Sequence, residues 1–395
     1  MSTPFEPGAP ASKDEISLCV PEIRGNEWKY IKDCLDTNWV SGVGAFVDRF
    51  EHELAVYVGA KYGIATVNGT AALHIVLLVA GIQPGDEVLV SDLTFIAPAN
   101  AIRYVGAWPV FVDAEPEYWQ MDPQKVCDFL KKKCRWRNGA LYNKTTQRQV
   151  KAILPVHILG HPCDIDPLVE VAHQYGLVVI EDATESLGAQ YKGRAVGHLG
   201  DIACFSFNGN KIITTGGGGM IVTDNKTWAE KARYLTTQAK DDPVEYVHRE
   251  IGYNYRLTNI QAAMGLAQME QLDDYITTKR RTATVYTKAL ANVPGIIPMR
   301  EAPWAFSTFW LYTILVNEVE YGMDSRALMQ HLGKVGIQTR PLWQPLHRSP
   351  AHKNCANHKL EVAEKIQKQA LSLPSSVGLT RTDQHRVLEA IVKSR

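Results

Sequence analysis

The run Ser206-Phe207-Asn208-Gly209-Asn210-Lys211 decides how this chain is read. It completes the apolar stretch 201–207 and leads into Thr214-Thr215-Gly216-Gly217-Gly218-Gly219. A lysine between a buried strand and a flexible glycine run sits where its amine can be desolvated, lose basicity and act as a nucleophile toward an aldehyde. Upstream, the strand-like Gly176-Leu177-Val178-Val179-Ile180 runs into Glu181-Asp182-Ala183, which puts a carboxylate at the end of a second buried strand. Strand alternation sends the side chains of Glu181 and Asp182 to opposite faces, so only one of them can share a site with Lys211, and the pattern alone does not say which.

Outward from this pair, short apolar runs alternate with helical patterns. The run 62–67 precedes a helical 71–80, 87–90 precedes 97–105, and 109–112 precedes 123–132; the series continues through 150–156, 165–175, 178–180, 202–207 and 220–223. Alternation of this kind predicts an α/β fold with a mostly parallel sheet covered by helices on both faces, and ligands in such sheets bind beyond the carboxyl ends of the strands. The basic, aperiodic segment from Lys131 to Arg148 reads as a surface loop. Beyond about residue 275 the pattern changes: a strand at 309–316 and helices at 325–334, 360–371 and 382–393 predict a smaller α/β domain. The expected division is a flexible N-terminal arm over 1–15, a large domain over 16–275 and a small C-terminal domain over 276–395.

Composition removes several function classes. With 395 residues and 45% hydrophobic content the chain can bury a large core, and its 42 basic and 42 acidic side chains cancel, which argues against nucleic acid or a polybasic membrane surface. The seven cysteines are scattered with no Cys-x-x-Cys, as in a reducing cytoplasm, and no apolar run reaches the roughly 18 residues of a membrane span. Gly-x-Ser-x-Gly, the phosphate-binding Gly-x-x-x-x-Gly-Lys-Ser/Thr and His-Glu-x-x-His are all missing. His157 and His161 are four apart, but Gly160 and Pro162 interrupt the region, so no helical metal pair is expected.

The remaining site candidates also fall at strand ends. Val67-Asn68-Gly69-Thr70-Ala71-Ala72 passes from strand to helix, where backbone N–H groups and the Thr70 hydroxyl converge on an anion; Ser206 can add a second hydroxyl. Phe95, in Ser91-Asp92-Leu93-Thr94-Phe95, is placed to lay its ring on a flat ligand. Phosphate turn, stacking aromatic, strand-end acid and lysine, in that order, are what pyridoxal 5'-phosphate needs: the acid keeps the pyridine nitrogen protonated and the ring an electron sink.

With these residues in place the chain resembles the sugar-nucleotide aminotransferases, the DegT/StrS group of fold-type I pyridoxal phosphate enzymes, nearly end to end. The resemblance rests on Ser206 to Gly219, Asn38-Trp39-Val40-Ser41-Gly42, Thr94-Phe95, Glu181-Asp182-Ala183-Thr184-Glu185, Gly252 to Asn259 and Thr339-Arg340-Pro341-Leu342-Trp343. It implies an α/β/α large domain and a smaller C-terminal one. It also implies that Lys211 forms the Schiff base, Asp182 pairs with the pyridine nitrogen, Phe95 stacks, Gly69, Thr70 and Ser206 hold the phosphate, and Glu185 lies near the 3-hydroxyl. Asn254 would reach the phosphate of the neighbouring subunit's cofactor, which implies a homodimer with shared active sites. Trp39, Ser41 and Arg340 would meet the nucleotide-sugar substrate, Arg340 through its pyrophosphate. The implied reaction is amino transfer from L-glutamate to the C4 ketone of a nucleotide-linked 4-keto-6-deoxy sugar, with a lean toward a UDP-linked N-acetylhexosamine of the bacillosamine or legionaminic acid type. A GDP- or dTDP-linked sugar, a related enzyme that does not transaminate, and a cofactor-binding regulator are the alternatives.

Overall fold

The computed structural model describes residues 14–242 and 244–394; the arm expected over 1–15 falls, but for Asp14 and Glu15, outside the described residues. An eight-stranded sheet forms the centre, in the order Tyr62–Thr66, Gly219–Thr223, Ile202–Ser206, Val178–Asp182, Val150–Leu154, Glu87–Ser91, Trp108–Val112, Ala356–His358. Gly219–Thr223 runs antiparallel to both of its neighbours, and the other pairs described are parallel. Runs such as Val88-Leu89-Val90 are apolar throughout because both faces are covered. Val88 and Val90 pack with helix Gly69–Val79 on one side, while Leu89 packs with helices Pro123–Lys133 and Ile165–Gln174 on the other.

A second, three-stranded antiparallel sheet joins Ile296–Pro298, Tyr312–Val316 and Ala370–Leu373 and carries helices Ser325–Lys334, Val362–Gln369 and Arg381–Lys393. The expected division at residue 275 falls inside the continuous helix Leu272–Leu290, and Ala356–His358 returns from beyond it to edge the large sheet.

Three local expectations are corrected. The segment 131–148 is not a plain loop: Cys134–Arg137 and Ala140–Asn143 form an antiparallel hairpin across Asn138 and Gly139, both at positive φ, the two-residue turn that Asn-Gly favours. The strand expected from residue 309 begins only at Tyr312, because Phe309 is in the left-handed region at φ 49°. The helix expected to residue 371 stops at Gln369, and Ala370–Leu373 is a strand.

Candidate active site

At the carboxyl ends of the central strands, a cavity of about 290 Å³ brings together Gly69, Thr70, Thr94, Phe95, Asp182, Glu185, Ser206, Lys211, Trp310 and Trp343. Each of the four motifs lands there for the same reason: the chain leaves the sheet at the carboxyl end of every parallel strand, so strand-end residues from distant sequence meet.

The acid pair divides as alternation requires. Asp182 lines the cavity, 2% exposed, with its Oδ1 accepting from Thr184 N at 3.1 Å. Burial raises its pKa, while Thr184 and the Lys211 charge oppose the rise. Glu181 turns away: its carboxylate accepts from the amides of Gly197, Leu199 and Gly200 at 3.0, 2.7 and 2.6 Å and meets His157 Nε2 at 3.1 Å. His157 Nδ1 accepts from Cys163 N, which leaves the proton on Nε2 to be given to Glu181. His161 is likewise structural, its Nε2 accepting from Ala302 N, and burial pushes it down to about 4. Among the described residues no group of three or more His, Cys, Asp or Glu could hold a metal ion.

Lys211 projects its amine to 3.8 Å from Glu185 Oε1 and 4.0 Å from the centre of the Trp310 ring, with 13% of its side chain exposed. Burial lowers its pKa, and Glu185 and Asp182 pull it back up. Glu185 is pushed up to about 7 by burial, opposed by Lys211 and by Leu159 N, which donates to its Oε2 at 2.9 Å.

The glycine run after Lys211 is anchored rather than flexible. Phe207 N donates to Gly218 O, Gln261 Nε2 to Gly217 O and Gly216 N to Thr214 Oγ1. Its last two glycines serve close approach: a β-carbon on Gly218 would collide with Thr215 Oγ1, and one on Gly219 would lie 2.6 Å from the Asn68 carbonyl. On the facing turn, Asn68 caps helix Gly69–Val79 by accepting from Ala71 N, and the amides of Gly69 and Thr70, its first two residues, have no carbonyl partner within the helix. A β-carbon on Gly69 would meet the Ser206 side chain at 2.9 Å, so glycine keeps this corner open.

These residues fit pyridoxal phosphate. The helix start with Thr70 and Ser206 suits a phosphate, Phe95 presents a 54% exposed ring to the cavity, and Asp182 supplies a buried acid opposite the lysine.

Four expected residues are not in the cavity. Trp39 and Ser41 are exposed, and their carbonyls accept from Asn259 Nδ2 and Asn259 N. Arg340 is exposed and its Nη1 donates to Thr339 O at 2.9 Å. Asn254 is exposed and bridges to Thr237. Of the matched 252–259 segment, Arg256 pairs with the buried Glu51, and Asn259 anchors 39–47 through Trp39 O, Ser41 O and the amide of Phe46.

Two tryptophans in the cavity were not among the expected site residues, although Trp343 closes the matched segment that begins at Thr339. Trp310 follows the left-handed Phe309 and its Nε1 donates to Asn210 O at 2.7 Å. Trp343 precedes Leu346 and His347, both tied to Asp92: Asp92 O accepts from Leu346 N, and its carboxylate accepts from His347 N at 2.9 Å and pairs with His347 Nδ1 at 2.7 Å. Glu364 lies 2.9 Å from His347 Nε2, and hydrogen bonding to Asp92 raises the imidazole's pKa.

Residues 21–392 match the DegT/DnrJ/EryC1/StrS aminotransferase family. A GDP-perosamine synthase of Caulobacter vibrioides is 42% identical over 379 residues, 95% of this chain and 97% of that protein. One of Escherichia coli O157:H7 is 41% identical over 377 residues, again 95% and 97%. The crystal structure of DesV from S. venezuelae in complex with a ketimine intermediate superposes with a TM-score of 0.84 at 32% identity, covering 93% of this chain and 94% of that one. The relatives do not support the lean toward a UDP-linked N-acetyl sugar; the nucleotide in their names is GDP. The protein is a pyridoxal phosphate-dependent sugar-nucleotide aminotransferase, and the chain belongs to the DegT/DnrJ/EryC1/StrS aminotransferase family.

Proposed function

We propose that the enzyme transfers the amino group of L-glutamate to the C4 ketone of a GDP-linked 4-keto-6-deoxy sugar. The observation that carries the chemistry is the Lys211 amine, directed into the cavity beside Glu185 and sharing it with Asp182. The choice of GDP rests on relatives about two-fifths identical over nearly their whole length.

Bound in this cavity, pyridoxal phosphate supplies an aldehyde to carry nitrogen and a ring that accepts electrons. Asp182 would hold the pyridine nitrogen's proton, Phe95 would fix the plane of the ring, and the Gly69 and Thr70 amides with Ser206 would hold the phosphate. Glu185 would lie by the 3-hydroxyl. Lys211 Nζ would take the α-proton of glutamate in the first half-reaction and deliver a proton to sugar C4 in the second, the work of a general acid/base. Trp39, Ser41 and Arg340 would face the nucleotide sugar, and Asn254 would serve the cofactor of a second copy, so the working unit is a homodimer.

The test is the absorbance of cofactor-loaded enzyme after L-glutamate and then GDP-4-keto-6-deoxymannose, with UDP-4-keto-6-deoxy-N-acetylglucosamine in parallel. The expected result is a band bleached by glutamate and restored by the GDP sugar. Restoration by the UDP sugar alone overturns the nucleotide assignment, and a band that never bleaches overturns glutamate as donor.

A further inference from the structure

Trp310 is held more tightly than a cavity wall requires. The residue is 3% exposed. Its Nε1 donates to Asn210 O, the carbonyl next to Lys211, while its own carbonyl accepts from Lys279 Nζ at 3.0 Å and from Ser375 Oγ at 3.3 Å. The preceding Phe309 takes a left-handed backbone in which a β-carbon is crowded, a conformation that lasts only where the surroundings impose it. Through these attachments the indole lies against the Lys211 amine, 4.0 Å from ring centre to Nζ, with Glu185 Oε1 at 3.8 Å. Among the described residues Lys211 Nζ donates no hydrogen bond, so the aromatic face and a carboxylate at longer range are what it has. Tryptophan is the side chain whose face attracts a cation most strongly, and the attraction grows where water is excluded.

We propose that the Trp310 face is the resting station of the Lys211 amine, holding it as an ammonium beside Glu185 in the apoprotein and, between the two half-reactions, once it has taken up a proton, and that Trp310 is thereby a positioning residue for that proton. The proposal rests on Lys211 being the cofactor lysine. An ammonium on this face keeps its proton close to the cavity, whereas an unheld amine on a four-carbon stem would sample other rotamers. Asn210 fixes both partners, since its carbonyl anchors the indole and its peptide leads into Lys211. Burial works against the ammonium and lowers the amine's pKa, while Glu185 and Asp182 in the cavity and the nearby Cys19 oppose that fall, and the ring face acts on their side.

The experiment follows capture of pyridoxal phosphate by the full-length apoprotein, read by absorbance as a function of pH. Only the neutral amine attacks the aldehyde, so the midpoint of the rate profile reports the amine's affinity for its proton. Trp310→Leu removes the aromatic face, and its midpoint is expected to fall by about one pH unit, a tenfold gain in neutral amine at a given pH. Trp310→Phe keeps a ring but loses the bond to Asn210, and its midpoint is expected to fall by less. If Phe falls as far as Leu, the lost Asn210 bond is the cause and the proposal is overturned; unchanged midpoints in both variants overturn it as well. Should the Leu variant fail to fold, fluorinated tryptophans placed site-specifically at position 310 keep the shape and the N–H while weakening the ring face. A midpoint that falls stepwise with fluorination supports the proposal, and a constant one overturns it. Lys211→Ala separates the underlying assignment: unaltered capture in that variant would remove Lys211 as the cofactor lysine, whatever the Trp310 series shows.

Discussion

Lys211 and Lys279 both meet Trp310, the first at its ring and the second at its carbonyl, and burial lowers the basicity of both, yet their surroundings differ in kind. Lys279, 2% exposed, donates to Trp310 O at 3.0 Å and Ser375 O at 2.6 Å and reaches Cys19 Sγ at 3.9 Å. Lys211 has a carboxylate at 3.8 Å, a ring face at 4.0 Å and an opening to the cavity. Both are desolvated lysines, so desolvation does not identify the reactive one. The difference is whether the donors are already committed: an amine bonded to two carbonyls holds a fold together, and one held by charge and a ring face can leave.

The strongest way to break this contrast is to exchange the losses. Lys211→Ala is expected to lower kcat by about 10²–10⁴-fold or more, the range general acid/base groups supply, with the thermal midpoint nearly unchanged. Steady-state turnover beside a melting curve checks both parts; retained turnover would end the catalytic reading.

Glu185 sharpens it through pH. Its folded pKa, about 7, lies above the ordinary carboxylate value, so the stability it contributes is fully present below about pH 4.5 and is lost as pH rises through 7. Glu185→Gln should therefore gain stability relative to the native protein as pH rises through that window, reaching on the order of 3 kcal/mol above pH 7. Denaturant melts at pH 5 and pH 8 would show it, and an equal difference at both would contradict it.

Lys279→Met is the reverse of the lysine exchange. It leaves the Ser375 carbonyl without a donor and Trp310 O with only the Ser375 hydroxyl, while relieving a buried ammonium, for a net loss of about 1–3 kcal/mol, and cofactor capture by Lys211 should survive. Unfolding paired with the capture assay decides this.

The smallest effect belongs to the Asp92–His347 link beneath Trp343. The raised pKa of His347 means that its charge contributes stability below about pH 6.5 and loses it as pH rises through the folded value. His347→Gln should cost about 1–2 kcal/mol near pH 6 and less near pH 9. A cost that grows with pH would show that the imidazole is neutral in the folded protein.

Much of the site was legible because each candidate lies at the end of an apolar run. Gly69, Thr70, Phe95, Asp182, Glu185, Ser206 and Lys211 all line the cavity. The Asn138-Gly139 hairpin was missed, because the surrounding basic residues read as a surface loop although that dipeptide favours the two-residue turn that forms there. Trp310 was not legible, because a tryptophan in an apolar run has the same local pattern whether it fills a core or faces a ligand, and Trp343 lay in a matched segment that did not say which of its side chains enters the cavity. Trp39, Ser41, Arg340 and Asn254 belong to matched segments yet lie outside the cavity of a single chain, so motif membership alone does not locate a side chain.

Periodicity along the chain determined the alternation of strands and helices, and with it the placing of the phosphate turn, acid and lysine at carboxyl ends, since these follow from local geometry and the burial of both sheet faces. Tertiary structure decided which of two adjacent acids faces the lysine, which tryptophan lies against its amine, and that Ala356–His358 edges a sheet begun some 290 residues earlier at Tyr62. These outcomes depend on where distant backbone amides and carbonyls come to lie. The Gly197–Gly200 turn draws Glu181 away from the cavity, and the Asn210 carbonyl holds the indole over the amine.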